Sequence, residues 1–181
     1  KVSDRQGRMV GNASPERKGE NMTILVDDAG WGSIIGGTLI AAYRPETEEI
    51  QVREIPVSYF QGDLVHTHAY LGASAIAAES AVAGLYSVGD PVRICSGYIH
   101  HKTHREHPNW KIVKIEGPFQ AIIEKALKDY LHGLGFAYQG STEEYGKLFF
   151  EAIRWLKGGN PNRRGMEPER VKLAKSGWRT F

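Results

Sequence analysis

The sequence predicts an α/β domain: an antiparallel three-strand start, further strands joined through a helix, and helices packed on the sheet. Three observations carry this expectation. Short β-prone runs follow one another between Thr23 and Tyr59. An alanine-rich stretch comes next, and two more β-prone runs then precede two segments with helical spacing. The length of 181 residues suits one domain able to bury a core without disulfides. Apolar residues at 41% and charged residues at 24% fit a folded chain and exclude a disordered or fibrous one.

Taken in order, residues 1–21 are rich in Gly, Asn, Ser and charge without periodicity and read as an irregular arm. Residues 22–181 are expected to form a single domain ending in a basic segment, 157–181. Thr23 to Asp27 and Thr38 to Arg44 are apolar β-prone runs joined by a glycine-rich turn, hence a hairpin. Glu49 to Tyr59 alternates through Ile50, Val52, Ile55 and Val57, a third strand in which Pro56 argues for an edge or a bulge. From Asp63 to Leu85 alanine dominates and predicts a buried helix. Pro91 to Ser96 and Trp110 to Ile115 read as strands, with the polar, histidine-rich stretch Tyr98 to Asn109 between them. Pro118 opens a helix in which Phe119, Ile122, Ile123, Ala126, Leu127, Tyr130 and Leu131 share a face; Gly133 and Gly135 end it. Thr142 to Leu156 is a second amphipathic helix stopped by Gly158 and Gly159, and Pro168 to Ser176 a short basic one.

The net charge of +2 conceals an asymmetry. The 157–181 segment carries Lys157, Arg163, Arg164, Arg170, Lys172, Lys175 and Arg179 against Glu167 and Glu169. Such a cluster attracts phosphate backbones by releasing counterions, and it also reads as a solvated face. No apolar run reaches the about 20 residues that a membrane helix needs, so no membrane partner is expected. The single cysteine, Cys95, excludes an internal disulfide, and Lys1 to Asn21 holds no apolar signal core. A reducing, cytoplasmic location is the expectation.

Chemistry concentrates in Ile24 to Arg44, I-L-V-D-D-A-G-W-G-S-I-I-G-G-T-L-I-A-A-Y-R. A strand that ends in two adjacent carboxylates and folds back through closely spaced glycines puts negative charge where backbone can approach a ligand. Asp27 and Asp28 there suit Mg2+ or Mn2+; the same residues also read as an ordinary Asp-Gly hairpin turn.

This stretch resembles the type 2 ribonucleases H, whose first strand ends in Asp-Glu-Ala-Gly-Arg-Gly and runs through a Gly-Pro pair into the second. Asp27, Asp28, Ala29, Gly30, Trp31 and Gly32 match that signature, with Gly36 and Gly37 at the Gly-Pro position. Arg164, Gly165 and Met166, followed by Arg170, Leu173 and Gly177, echo the family's Lys-Gly-Tyr segment and C-terminal helix. The departures are specific: Asp28 stands for Glu, Trp31 for Arg and Met166 for a substrate-stacking Tyr. Ser96, in Ile94-Cys95-Ser96-Gly97, stands where the family carries its next acid. Glu116, after the Trp110 to Ile115 run and beside Gly117, is a substitute ligand or a helix N-terminal acid favoured by the dipole. Glu79, Glu124 and Asp129 are further candidates.

The resemblance implies a ribonuclease H-like mixed sheet and a metal-dependent endonuclease, a hydrolase acting on RNA or an RNA/DNA hybrid. In that chemistry two divalent ions about 4 Å apart activate water and stabilise the leaving oxygen. Asp27, Asp28 and Glu116 would be the catalytic metal ligands. The backbone around Gly30 and Gly32, with Trp31, would meet the 2′-hydroxyl that distinguishes RNA from DNA. Lys102, Arg105, Arg163, Arg164, Lys172 and Lys175 would contact the nucleic acid backbone. Two alternatives stand beside this reading: a ribonuclease H-like module that binds nucleic acid or protein without cleaving, and a nuclease of the same fold directed at DNA.

His100, His101, His104 and His107 lie just beyond Cys95. Their spacing is compatible with Zn2+, with a phosphate-contacting loop completed by Lys102 and Arg105, or with an exposed polar loop. His66 and His68 read as capping or surface residues, Cys95 as a buried strand thiol, and Trp155 and Trp178 as anchors. No phosphate-binding glycine loop, nucleophile elbow or dinucleotide fingerprint is present in the sequence.

Overall fold

The computed structural model describes residues 22–141, 144–160 and 162–177. The arm 1–21, Thr142, Trp178 and Arg179 lie outside the described residues. The strands are β1 (Ile24–Ala29), β2 (Thr38–Arg44), β3 (Glu49–Ile55), β4 (Val92–Cys95) and β5 (Lys111–Val113). The helices are α1 (Ala69–Ala83), α2 (His101–Glu106), α3 (Pro118–Gly133), α4 (Tyr145–Leu156) and α5 (Pro168–Val171). The fold is α/β, with one five-stranded sheet in the order β3-β2-β1-β4-β5. β1, β2 and β3 are antiparallel, whereas β4 and β5 run parallel to β1. This arrangement is consistent with a ribonuclease H-like fold.

β1 holds the centre because both of its faces are apolar. Successive side chains on a strand point to opposite faces. Ile24 and Val26 join one core with Tyr70, Ala78 and Val82 of α1, while Leu25 and Ala29 join another with Phe119, Ile123 and Leu127 of α3. β2 is buried along its whole length. Small side chains let α1 lie close to the sheet: Ala78 and Ala81 are fully buried against it. At the opposite end, buried Arg44 donates from Nη2 to Asp90 at 2.5 Å and ties β2 to the turn before β4.

Element order follows the sequence expectation with one addition, α2 between β4 and β5, and the boundaries differ for physical reasons. β3 ends at Ile55, because Pro56 has no N–H for the ladder, and Val57–Phe60 turns as a 3-10 helix. The helix expected from Asp63 starts at Ala69, after a 3-10 turn over Gly62–Thr67 and a left-handed His68 at φ 57°. The histidine-rich stretch is largely helical: a 3-10 turn over Tyr98–His100 runs directly into α2. α5 is shorter than expected, ending at Val171.

The turn between β1 and β2 cannot carry side chains at two positions. Gly36 sits at φ 73°, and a Cβ there would lie 2.6 Å from Tyr130 Cε1. A Cβ on Gly37 would lie 2.2 Å from the carbonyl oxygen of Ile55. The Gly37 N–H donates to the Tyr130 hydroxyl at 2.8 Å, and that hydroxyl donates to Glu54 at 2.6 Å, which joins α3 to β3 through this turn. Gly37→Ala is therefore expected to lower stability by about 2–4 kcal/mol, the cost of forcing a methyl group against fixed backbone. Urea unfolding midpoints of the two proteins measure it.

Candidate metal centre

Because β1, β4 and β5 are parallel, their C-terminal ends meet at one edge of the sheet. The chain leaves β1 towards β2 on one side and leaves neighbouring β4 towards α2 on the other, which opens a crevice at the carboxyl end of β1. Asp27 and Asp28 occupy that end, opposite Ala41 and Ile40 of β2. They border a cavity of about 570 Å³. Gly30, Trp31 and Gly32 form one rim, and Ile115, Glu124, Leu127 and Leu148 line the far side.

Asp27 is buried, and its Oδ1 accepts the Asp28 N–H at 2.9 Å. Burial raises its pKa, partly offset by hydrogen bonds from the Cys95 thiol and the Asp28 amide. The Cys95 thiol is itself pushed up to about 12, first by burial and then by the Asp27 charge, so it stays protonated and donates. Asp28 is pushed up to about 7 by burial and by Asp27, against the pull of Lys175. Two carboxylates held together in low dielectric resist double ionisation unless a cation joins them.

His100 completes the group. Asp27, Asp28 and His100 each offer one ligand atom, and these atoms lie within 4.8 Å of one another; among the described residues no other such group occurs. His100 Nε2 stands 3.7 Å from Asp28 Oδ1. The ring has no solvent exposure, and neither of its nitrogens has a hydrogen-bond partner. Leaving such a polar atom buried and unpaired costs about 1–3 kcal/mol. Burial, reinforced by His104, lowers the His100 pKa to about 3, so the ring is the neutral, ligating form. Two oxygen donors and a buried, unpaired imidazole within 4.8 Å of one another fit a divalent metal ion.

Lys175 positions the turn beside this group. Backbone bonds staple the C-terminal segment to the turn, from Gly36 N to Leu173 O at 2.8 Å and from Lys175 N to Ile34 O at 2.9 Å. The fully buried Nζ then donates to Gly30 O at 2.6 Å, Trp31 O at 3.3 Å and Thr38 Oγ1 at 3.0 Å, and lies 4.4 Å from the Phe60 ring centroid. Burial lowers its pKa to about 7, with Asp28 opposing.

Of the residues the sequence singled out, Asp27, Asp28, Gly30, Trp31 and Gly32 come together. Trp31 packs against Phe60, Tyr70 and Tyr98, with centroids 6.0, 5.1 and 6.4 Å away. Glu116 stands apart: it is exposed, ion-paired with Lys114, and outside the cavity wall. Glu124 lines the cavity, whereas Glu79 pairs with His107 and Asp129 with Lys125. Lys175, expected on phosphate, is instead buried under the turn. Arg163 pairs with Glu167, Lys102 with Glu106 at 3.5 Å, and Arg105, Arg164 and Lys172 are exposed. Met166 packs on the α3 and α4 core. The histidines divide: His104 Nε2 meets Cys95 O at 2.9 Å, His101 stacks on Tyr98, and only His100 reaches the aspartates. Its sequence signal was its place one turn beyond the end of β4.

No family model matches the chain, and no curated protein matches it. The fold and the site thus define the class: an α/β protein of ribonuclease H-like strand order with a buried Asp27, Asp28 and His100 group able to hold a metal.

Two outcomes are expected. Lys175→Met should cost about 2–4 kcal/mol in urea unfolding, since the turn carbonyls and Thr38 lose a buried donor. The second concerns pH. The folded pKa of His100 lies below its unfolded value of 6.5, so the unfolded chain binds the proton first on acidification. Its contribution to stability is present above pH 6.5 and is lost as pH falls toward about 3. Unfolding midpoints measured from pH 7 down to pH 4.5 should fall more steeply for the native protein than for His100→Gln.

Proposed function

We propose that this protein is a divalent-metal-dependent phosphodiester nuclease acting on RNA or an RNA/DNA hybrid. The observation that carries the reading is the pair of adjacent carboxylates at the end of the central strand of a 3-2-1-4-5 sheet, facing a cavity with a glycine rim. Asp27 and Asp28 would hold Mg2+ or Mn2+. A divalent ion bound there supplies water activation and stabilisation of the leaving oxygen. The chain's own residues prepare the place: Lys175 fixes the turn, and Gly30 and Gly32 flank Trp31 on the rim. Gly30 is at φ 86°, and a Cβ on it would lie 2.8 Å from Leu127 Cδ1. Leu127 fills the space at Gly30, so a sugar edge would meet backbone at exposed Gly32. Exposed Arg105, Arg164 and Lys172 supply positive charge for phosphates.

A second reading has its own support. The described group holds two carboxylates, with Ser96 where the resembled family has an acid, and this favours a module that binds without cutting. Half-exposed Tyr98, stacked on His101 and close to Trp31, also offers an aromatic surface for unpaired bases, which favours single-stranded RNA or DNA.

Labelled RNA, DNA and hybrid duplexes incubated with Mg2+ or Mn2+ separate these readings. Native protein is expected to cleave RNA or hybrid, and Asp27→Asn, which keeps the shape, to lose about 100-fold or more while still binding. Binding by native protein without cleavage of any substrate would establish the non-catalytic module.

A further inference from the structure

We infer that His100 is a direct metal ligand through Nε2, and that the centre selects a first-row transition ion over Mg2+. This deepens the reading above and rests on Asp27 and Asp28 holding a metal. Three observations converge. The imidazole is completely buried, neither ring nitrogen has a partner, and Nε2 lies 3.7 Å from the nearer oxygen of Asp28. Two donors sharing one ion at bonds of about 2.0–2.2 Å lie up to about 4.3 Å apart. The observed separation is too long for a hydrogen bond and within that span.

The backbone holds the ring in place. The His100 N–H donates to Gly97 O at 3.0 Å, and a Cβ on Gly97 would lie 3.3 Å from Asp28 Oδ1, so the chain passes close to the carboxylate just before it presents the imidazole. His104 does not compete for the ion, because its Nε2 is engaged by Cys95 O at 2.9 Å. The donor set is then two carboxylates and one imidazole. Mg2+ and Ca2+ prefer oxygen alone, while imidazole suits first-row transition ions. Mn2+ binds most weakly in that series, which makes it the stringent probe.

The test uses metal and protein alone. Calorimetric titration of the native chain should give Mn2+ an affinity about tenfold or more above that of Mg2+. Pulsed electron paramagnetic resonance of the Mn2+ complex should show nitrogen modulation from a coordinated imidazole. His104→Asn should keep that signal. His100→Gln should lose it, together with about tenfold or more of the Mn2+ affinity, while Mg2+ affinity changes by less than about threefold. Should His100→Gln fail to fold, the signal in native protein and in His104→Asn decides by itself. Equal affinities for the two ions, or bound Mn2+ without nitrogen modulation, would overturn the assignment of His100 and leave an all-oxygen centre. Binding that Asp27→Asn does not weaken would overturn the aspartate site itself.

Discussion

The buried ammonium of Lys175 is the contact on which the site's architecture depends. Its three acceptors belong to the turn after β1 and to the first residue of β2, while its own backbone belongs to a segment some 140 residues later in the chain. A turn with several glycines has many accessible conformations, and buried Ile34 and Ile35 hold its side chains while Lys175 holds its carbonyls. Closing a long loop onto it adds only modestly to the entropy cost, which grows slowly with loop length. The bridge of Ile35 with Ala174, the Lys175 donations and the Gly177 N–H to Phe60 O at 3.0 Å together anchor the C-terminal segment on both sides of the turn. The catalytic candidates themselves do no such fastening.

Electrostatics give the same residues a second duty. Burial drives Asp28 and Lys175 towards their uncharged forms, and each draws the other back towards charge. Lys175 thus draws Asp28 back towards its ionised form, against the burial that raises the pKa of both carboxylates. Its ammonium already donates to Gly30 O, Trp31 O and Thr38 Oγ1. A divalent ion in the crevice would meet Asp27 and Asp28 from the open side and strengthen the ionised state of both.

The fold was legible because its signals are local. Alternation in Glu49 to Ile55, alanine in α1 and proline at the start of α3 each mark an element without reference to the rest of the chain. Asp27 and Asp28 were legible for a related reason: strand, acids and glycines are contiguous. What escaped was everything set by tertiary contact. Lys175 reads as one more cation in a basic tail until the bridge of Ile35 with Ala174 draws it under the turn. Glu116 reads as a strand-end acid, yet β5 stops at Val113, and the residue turns outward to Lys114. His100 was hidden among four histidines, because spacing cannot tell which face of a short turn meets the next strand.

The alternation of β1 explains why the site lies at the strand's end and nowhere else. Asp28 shares the face of Ile24 and Val26, towards α1 and α2, whereas Asp27 shares the face of Leu25 and Ala29, towards α3. Within a sheet, neighbours on one strand are kept apart by the backbone between them. Beyond the last ladder pair the chain turns away, and both carboxylates can be reached from the edge. His100 approaches from the first face and Glu124 lines the cavity on the second. Among the described residues only the first layer brings a further donor within ligand distance of the aspartates. A ligand entering at the edge therefore meets one carboxylate from each face of β1 at once.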